Sequence, residues 1–321
     1  MRVLSGIQPS GVLHLGNYFG MMRPAIELQE RGEAYLFIAD YHAMTTIQDG
    51  DALRAATREV ALDFLACGLD PERTAFYRQS DVPEVTELMW FLSVVTPMGL
   101  LERCHSYKDK IAKGIAASHG LFAYPVLMAA DILAVQSDVV PVGRDQKQHV
   151  EVTRDMAIKF NNSFGEVFTI PEPVIAEEVA VVPGIDGQKM SKSYGNTIPL
   201  FGDSPKQRRK RVMSIVTDST PLEEPKDPEK CNVFALYRLF ADRAEQDELA
   251  ARYRAGGLGY GTAKQELLAK IEQHFEAMNA RREELVREPE YIEQVLADGA
   301  RRAGELARET LRKARRAVGL D

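Results

Sequence analysis

The spacing of apolar residues changes period along the chain, and each change marks an element. Residues 2–7 read as a short buried strand that breaks at Gly6. A turn, Gln8-Pro9-Ser10-Gly11, leads into Leu13-His14-Leu15-Gly16-Asn17 and an apolar helical run from near Tyr18. Residues 34–39 are continuously apolar and end at Asp40, as a strand buried on both faces does. Leu53, Ala56, Val60, Phe64 and Cys67 repeat at helical spacing over 51–67, and Gly68 and Pro71 stop that helix. A strand at 74–77, a helix at 84–95, an apolar segment at 121–135 and a strand at 138–142 follow. Strand and helix alternate, which predicts a doubly wound parallel α/β sheet. Beyond Ser193 the pattern is helical. Ser204-Pro205 is a cap and first-turn pair, and helices are predicted over 232–242, 245–254, 262–287 and 290–318.

A chain of 321 residues with 45% hydrophobic and 27% charged positions has room for two domains and a sizeable core. Its net charge of −7 argues against a partner held by bulk positive charge, although local basic patches remain available. Cys67, Cys104 and Cys231 are far apart and form no C-x-x-C pair, so a disulfide framework or a cysteine metal cluster is not expected. The N-terminus has no long apolar stretch, and no run reaches membrane-spanning length. These features predict a soluble cytoplasmic protein with no membrane partner.

Candidate chemistry concentrates in a few places. Lys189 and Lys192 sit three residues apart with Ser191 and Ser193, and glycines and Pro183 surround them. Two cations and two hydroxyls on a glycine-flanked, mobile loop suit phosphates. Near the N-terminus, strand, glycine-containing turn and helix start bring backbone N–H groups toward an anion. The glycine spacing matches neither the dinucleotide fingerprint nor the P-loop. His14 is either a helix cap or a donor to a phosphate oxygen, and Gly16 would let a flat ring approach the backbone. Asp131 is the one carboxylate in an apolar run. It is either a member of a core network or the acceptor on a pocket floor. A flat apolar slot with one fixed acceptor selects an indole, and Met128, Ile132, Val140 and Val142 are placed to line it. Gly143 to His149 form a polar cluster after a strand, where open α/β sheets bind ligands. Lys108-Asp109-Lys110 alone reads as a solvated turn. The basic run 206–211 is either a solvated helix face or a contact for RNA phosphates. Residues 301–316 hold seven basic and two acidic positions, an asymmetry that fits an RNA-facing surface.

His14-Leu15-Gly16-Asn17 followed by Lys189-Met190-Ser191-Lys192-Ser193 resembles the paired signature of the class I aminoacyl-tRNA synthetases. Asn17 stands at the last position of the first element, and the second is unchanged. Met128-Ala129-Ala130-Asp131-Ile132-Leu133 and Asp145-Gln146-Lys147-Gln148-His149 are similar to the bacterial tryptophanyl branch rather than the tyrosyl one. The resemblance runs end to end, through Thr217–Ser219 to the last helix. It implies a Rossmann-like catalytic domain over 1–186, with the final helix, about 296–321, packing back on it. A helical anticodon-binding domain would span 187–295, with the lysine loop at the junction. It implies activation of L-tryptophan by ATP with Mg²⁺ and transfer to tRNA(Trp) by a homodimer, with no protein-bound metal.

Residue by residue, the resemblance gives Gln8, Pro9, Ser10, Gly16, Asn17, Gly143, Arg144, Asp145, Val182, Met190, Ser191 and Ser193 to ATP. Lys110, Lys189 and Lys192 meet its phosphates, and His14 and Asn17 join the catalytic set. Tryptophan falls to Asp131 at the indole N–H, Tyr124 and Gln146 at the ammonium, and His42 by the carboxylate. Leu4, Gly6, Met128, Val140 and Val142 complete that pocket. Leu4 stands where relatives often carry Phe, and Arg144 where Glu is frequent. A tyrosyl enzyme, another adenylyltransferase, or a non-catalytic tRNA-binding paralogue are the alternatives. A phenol would want a second polar group on the floor near Asp131, and the intact His14, Asn17 and lysines argue against lost catalysis.

Overall fold

The computed structural model describes residues 1–9, 11–30, 32–104, 118–143, 146–175 and 181–320. The strands are β1 (Arg2–Ile7), β2 (Glu33–Ile38), β3 (Thr74–Arg78), β4 (Val139–Val142) and β5 (Glu172–Ile175). The main helices are α1 (Gly50–Ala66), α2 (Glu84–Val95), α3 (Met98–Glu102), α4 (His119–Ala134) and α5 (Lys147–Phe164). They continue with α6 (Pro205–Met213), α7 (Asn232–Tyr237), α8 (Arg243–Ala255), α9 (Tyr260–Val286) and α10 (Pro289–Val318). The chain forms two compact units. One comprises Met1–Gly11, Ala25–Glu177 and Glu288–Asp321, and the other Val12–Pro24 and Glu178–Arg287.

In the first unit the strands form one parallel sheet in the order β3-β2-β1-β4-β5. This is the doubly wound order, whose reversal at β1 and β4 opens a crevice at the carboxyl ends of the strands. Val3, Leu4, Leu36, Phe76 and Val140 are buried along it. Gly6 lies opposite Phe37 in the β1–β2 register, and a Cβ there would sit 2.5 Å from the Phe37 ring. β5, with Pro173, pairs only with β4. No strand was expected there, because four residues interrupted by proline carry almost no periodic signal.

α10 packs on β3 and α2 through small residues, with Gly299, Ala300, Ala303, Ala307 and Ala314 buried. A Cβ on Gly299 would fall 1.9 Å from the Phe76 carbonyl oxygen, so helix and strand backbones nearly touch. The basic positions of this helix also find partners in the same unit. Arg308 pairs with Glu84 at 3.4 Å, Arg315 with Glu87, Arg301 with Glu305 at 3.0 Å, and Lys313 with Glu309 at 2.8 Å. Arg302 donates to the Pro71 carbonyl at 3.0 Å. Two of the five surplus charges of 301–316, Arg308 and Arg315, thus meet carboxylates on α2, while the other two ion pairs use acids of the helix itself. Exposed charges pair with whatever carboxylate folding brings near, and sequence counts only the charges local to the helix.

The second unit is helical. Ser204 caps α6, accepting from the Gln207 amide at 3.3 Å while Gln207 reaches back to the Ser204 N–H at 2.9 Å. The helix predicted over 232–242 stops at Tyr237, because Asp242 caps α8 instead and accepts from the Glu245 amide at 2.9 Å. Residues 15–30 are helical but irregular, with a π-helical turn at Tyr18–Met22. Pro24 lacks the N–H that would bond four residues back, and the Arg23 N–H reaches the Tyr18 carbonyl five residues back. The turn is locked by aromatic contacts. Tyr18 hydrogen-bonds His274 at 3.0 Å, and Phe19 and Phe240 meet edge-on at 5.0 Å.

Candidate active site

Four parallel strands end in polar groups, as the doubly wound topology dictates. β1 leads to Gln8, whose amide donates to the His42 carbonyl at 3.3 Å. β2 leads to the helical turn Asp40–Ala43, which carries His42. β3 leads to Gln79, and β4 leads to Gly143 and to Gln146 at the start of α5.

Asp131, on α4, lies at the heart of this cluster and is 3% exposed. Gln79 Nε2 donates to both its oxygens, at 2.7 and 2.9 Å, and His42 Nε2 lies 2.9 Å from Oδ2. Burial pushes the Asp131 carboxyl up, and the hydrogen bonds and charge of His42 and the hydrogen bond of Gln79 pull it back. Gln79 in turn accepts from the Tyr41 N–H at 3.1 Å, which fixes which end of its amide faces Asp131. Tyr77 packs into the same core, and burial, with the Asp131 charge second, holds its phenol well above its ordinary range. Tyr124 Oη lies 2.8 Å from His149 Nε2, and its ring meets His42 edge-on at 6.2 Å. Leu4 and Val140 are buried in one core cluster with the α4 residues, and Met128 and Val142 pack half-buried against it.

Asp131 is thus a member of a buried polar network with His42 and Gln79. Gln79 and His149 were not singled out beforehand. The position of Gln79 just beyond a parallel strand was the signal, and His149 lay inside the polar cluster.

The second unit brings the two signature segments together. The Gly16 N–H donates to Met190 Sδ at 3.4 Å, across 174 residues of sequence, and His14 and Pro199 form a bridge. His14 is buried, and its Nδ1 has no hydrogen-bond partner among the described residues. Burial first, and the Lys192 charge second, lower its pKa to about 4, so the imidazole is neutral at physiological pH. Burial also lowers the half-buried Lys192 ammonium. Gly16 was expected to admit a ligand ring. In the structure it lies against His14, since a Cβ there would lie 3.0 Å from the imidazole. Asn17 Oδ1 accepts from the His14 N–H at 3.1 Å and closes the helix start.

Backbone hydrogen bonds tie the lysine loop to the segment before it. Pro183 and Lys189 form an antiparallel bridge, and the Met190 N–H donates to the Val182 carbonyl at 2.9 Å. Val182 and Met190 are buried, Lys189 and Ser193 are exposed, and Ser191 Oγ lies 2.9 Å from Ser193 Oγ. Pro9 is buried beside Gln8. Ser10, Lys110, Arg144 and Asp145 lie outside the described residues.

A family profile, tRNA synthetases class I (W and Y), matches residues 1–276. The tryptophan–tRNA ligase of Rhodopirellula baltica is 55% identical over 320 residues, covering 100% of each chain. The chain belongs to the tryptophan–tRNA ligases, a class I aminoacyl-tRNA synthetase family. Solved members of that family share its fold. The tryptophanyl-tRNA synthetase of Campylobacter jejuni, complexed with ADP and tryptophan, matches with a TM-score of 0.94 and 53% identity over 100% of each chain. The Mycoplasma pneumoniae enzyme matches with a TM-score of 0.83 and 31% identity over 100% of this chain and 98% of its own.

Proposed function

We propose that the chain activates L-tryptophan with ATP and transfers the tryptophanyl group to tRNA(Trp). The observation that carries this reading is the meeting of His14–Asn17 with the Lys189–Ser193 segment in one unit through Gly16 and Met190. In the first step a tryptophan carboxylate oxygen attacks the α-phosphorus of ATP. A P–O bond forms, and the bond to pyrophosphate breaks. In the second step a hydroxyl oxygen of the terminal tRNA adenosine bonds to the acyl carbon, the acyl C–O bond to AMP breaks, and AMP leaves with that electron pair while its phosphate takes up the hydroxyl proton.

No protein nucleophile takes part, so positioning and charge stabilisation supply the acceleration. Lys189 and Lys192 carry positive charge to the departing phosphates, and Lys110 joins them by its place in the sequence. Neutral His14 donates a hydrogen bond without adding charge. Gln8, Pro9, Ser10, Gly143, Arg144, Asp145 and Val182 border the nucleoside, and Asn17, Ser191 and Ser193 border the phosphates. ATP's own oxygens would hold Mg²⁺, which enters with the substrate.

Tryptophan is read by Asp131. The Gln79 and His42 bonds keep a buried carboxylate aimed at one indole N–H, and Met128, Val140, Val142, Leu4 and Gly6 form the apolar slot. Tyr124 and Gln146 take the ammonium, and His42 borders the reacting carboxylate. We assign residues 1–186 to catalysis, with the last helix returning to it, and 187–295 to anticodon binding. A homodimer is supported by Trp90, Val94 and Met98, which are 68%, 64% and 63% exposed on α2 and α3. Sedimentation showing only monomer at micromolar concentration would refute it. Cys67, Cys104 and Cys231, buried and outside any disulfide, fit the reducing cytoplasm.

The test of the assignments is a pair of variants. Lys192→Ala should slow adenylate formation about 100-fold with tryptophan binding unchanged, while Asp131→Ala should remove the preference for tryptophan. A parallel fall of rate and tryptophan binding in Lys192→Ala, or intact selectivity in Asp131→Ala, would overturn the roles.

A further inference from the structure

We propose that Asn196 is the positioning residue that sets the backbone presenting Lys189 and Lys192, an inference that rests on the phosphate reading of those lysines. Asn196 is 2% exposed. Its Oδ1 accepts the Ser191 N–H at 2.7 Å, and its Nδ2 donates to the Lys189 carbonyl at 3.1 Å. One side-chain amide thus grips the peptide groups on both sides of Met190, between the two lysines. Nδ2 also donates to Asp186 Oδ1 at 2.7 Å, and that oxygen accepts the Gln188 N–H at 3.0 Å. The Asn196 carbonyl accepts the Ile185 N–H at 3.0 Å. Both ends of the turn are therefore tied to one residue.

The surroundings make room for this amide and for no larger group. A Cβ on Gly184 would lie 2.4 Å from the Asn196 side chain, so glycine is required where the amide passes. Gly187, at φ 83°, turns the chain tightly, and a Cβ there would lie 2.5 Å from Asn232 Nδ2. Asn232 donates in turn to the Val216 carbonyl at 3.1 Å, which ties the turn to the helical body. Gly184 and Gly187 thus serve close packing.

The chemistry singles out asparagine. The site needs one acceptor, for Ser191, and two donors, for Lys189 and Asp186, and only a carboxamide offers both at this reach. Aspartate would set two carboxylates against each other, and alanine would leave a buried amide and carbonyl unpaired. A preset backbone fixes where each lysine side chain starts, so less of the chain must be ordered to bring the ammonium groups to the phosphates. Met190 completes the arrangement by accepting from Gly16, so the loop is set relative to His14 in the same unit.

The experiment is a double-mutant cycle read by tryptophan-dependent pyrophosphate–ATP exchange, with tryptophan binding measured separately by equilibrium dialysis. Asn196→Ala should lower kcat about 100-fold, the scale of a misplaced catalytic group, and leave the tryptophan Kd within about twofold. On a Lys189→Ala/Lys192→Ala background the same change should cost about threefold or less, because the groups it positions are gone. Asn196→Asp should resemble Asn196→Ala, and Asp186→Ala, which removes one tie, should cost less. An equal loss on both backgrounds, or a loss of tryptophan binding in parallel with kcat, would overturn the positioning role. If Lys192→Ala alone leaves exchange unchanged, the phosphate reading fails first. If Lys192→Ala is slow and Asn196→Ala is fast, only the positioning inference fails.

Discussion

His14 makes a quantitative prediction about acid stability. Burial and the nearby Lys192 charge hold its folded pKa at about 4, against an ordinary value of 6.5. An unfolded chain therefore takes up a proton as pH falls through about 6.5, and the folded chain does so only near 4. Where the unfolded state binds more protons, stability falls as pH falls. The neutral imidazole thus contributes stability that is fully present above about 6.5 and is lost as pH drops through the folded value. The complete loss is about 3 kcal/mol, and about 2 kcal/mol of it has gone by pH 5. His14→Gln keeps a polar side chain of similar reach and removes the titration. Urea unfolding of both proteins at pH 7.5 and pH 5.0 isolates the difference, because every other titrating group is common to both. The wild type should lose about 2 kcal/mol more than His14→Gln over that interval. Lys192→Met should shrink the gap by removing the second cause. Equal losses in the two proteins would refute the burial argument.

Two further predictions concern groups that hold the fold and the pocket. Gly299→Ala should destabilise the protein by about 1–3 kcal/mol or more, because its methyl meets the Phe76 carbonyl, and an unshifted urea midpoint would contradict the close packing of α10 on β3. Gln79→Leu should raise the tryptophan KM while leaving the ATP KM alone. It should also move the acid limb of kcat/KM to higher pH, because Asp131 keeps its burial and loses a stabilising donor. Unchanged tryptophan KM would remove Gln79 from the pocket.

The elements legible in the sequence are those whose signals are local. β2 and β3 carry adjacent apolar residues, and α6 carries its own capping box. β5 was illegible because it exists only through pairing with β4. The π-helical turn after Asn17 follows from Pro24, a signal that says a helix is disturbed and not how. In the site, the signature segments were legible as residue strings, but what joins them was not. Gly16 meets Met190 across 174 residues, and Gln79 meets Asp131 across 52. Asn196 reads in sequence as an ordinary turn residue after Gly195, and its four partners appear only when the loop is folded. The charge surplus of α10 was legible as a sum, yet its partners on α2 lie more than 200 positions away, at |i−j| of 224 and 228.

Selection of tryptophan by Asp131 and its neighbours is read by pyrophosphate–ATP exchange with tryptophan and with tyrosine as the sole amino acid. Tryptophan should support exchange with a kcat/KM at least about 10⁴-fold above that of tyrosine, the discrimination a hydrogen-bonding pocket can reach. Exchange with tyrosine at comparable efficiency, or no exchange with tryptophan, would contradict it.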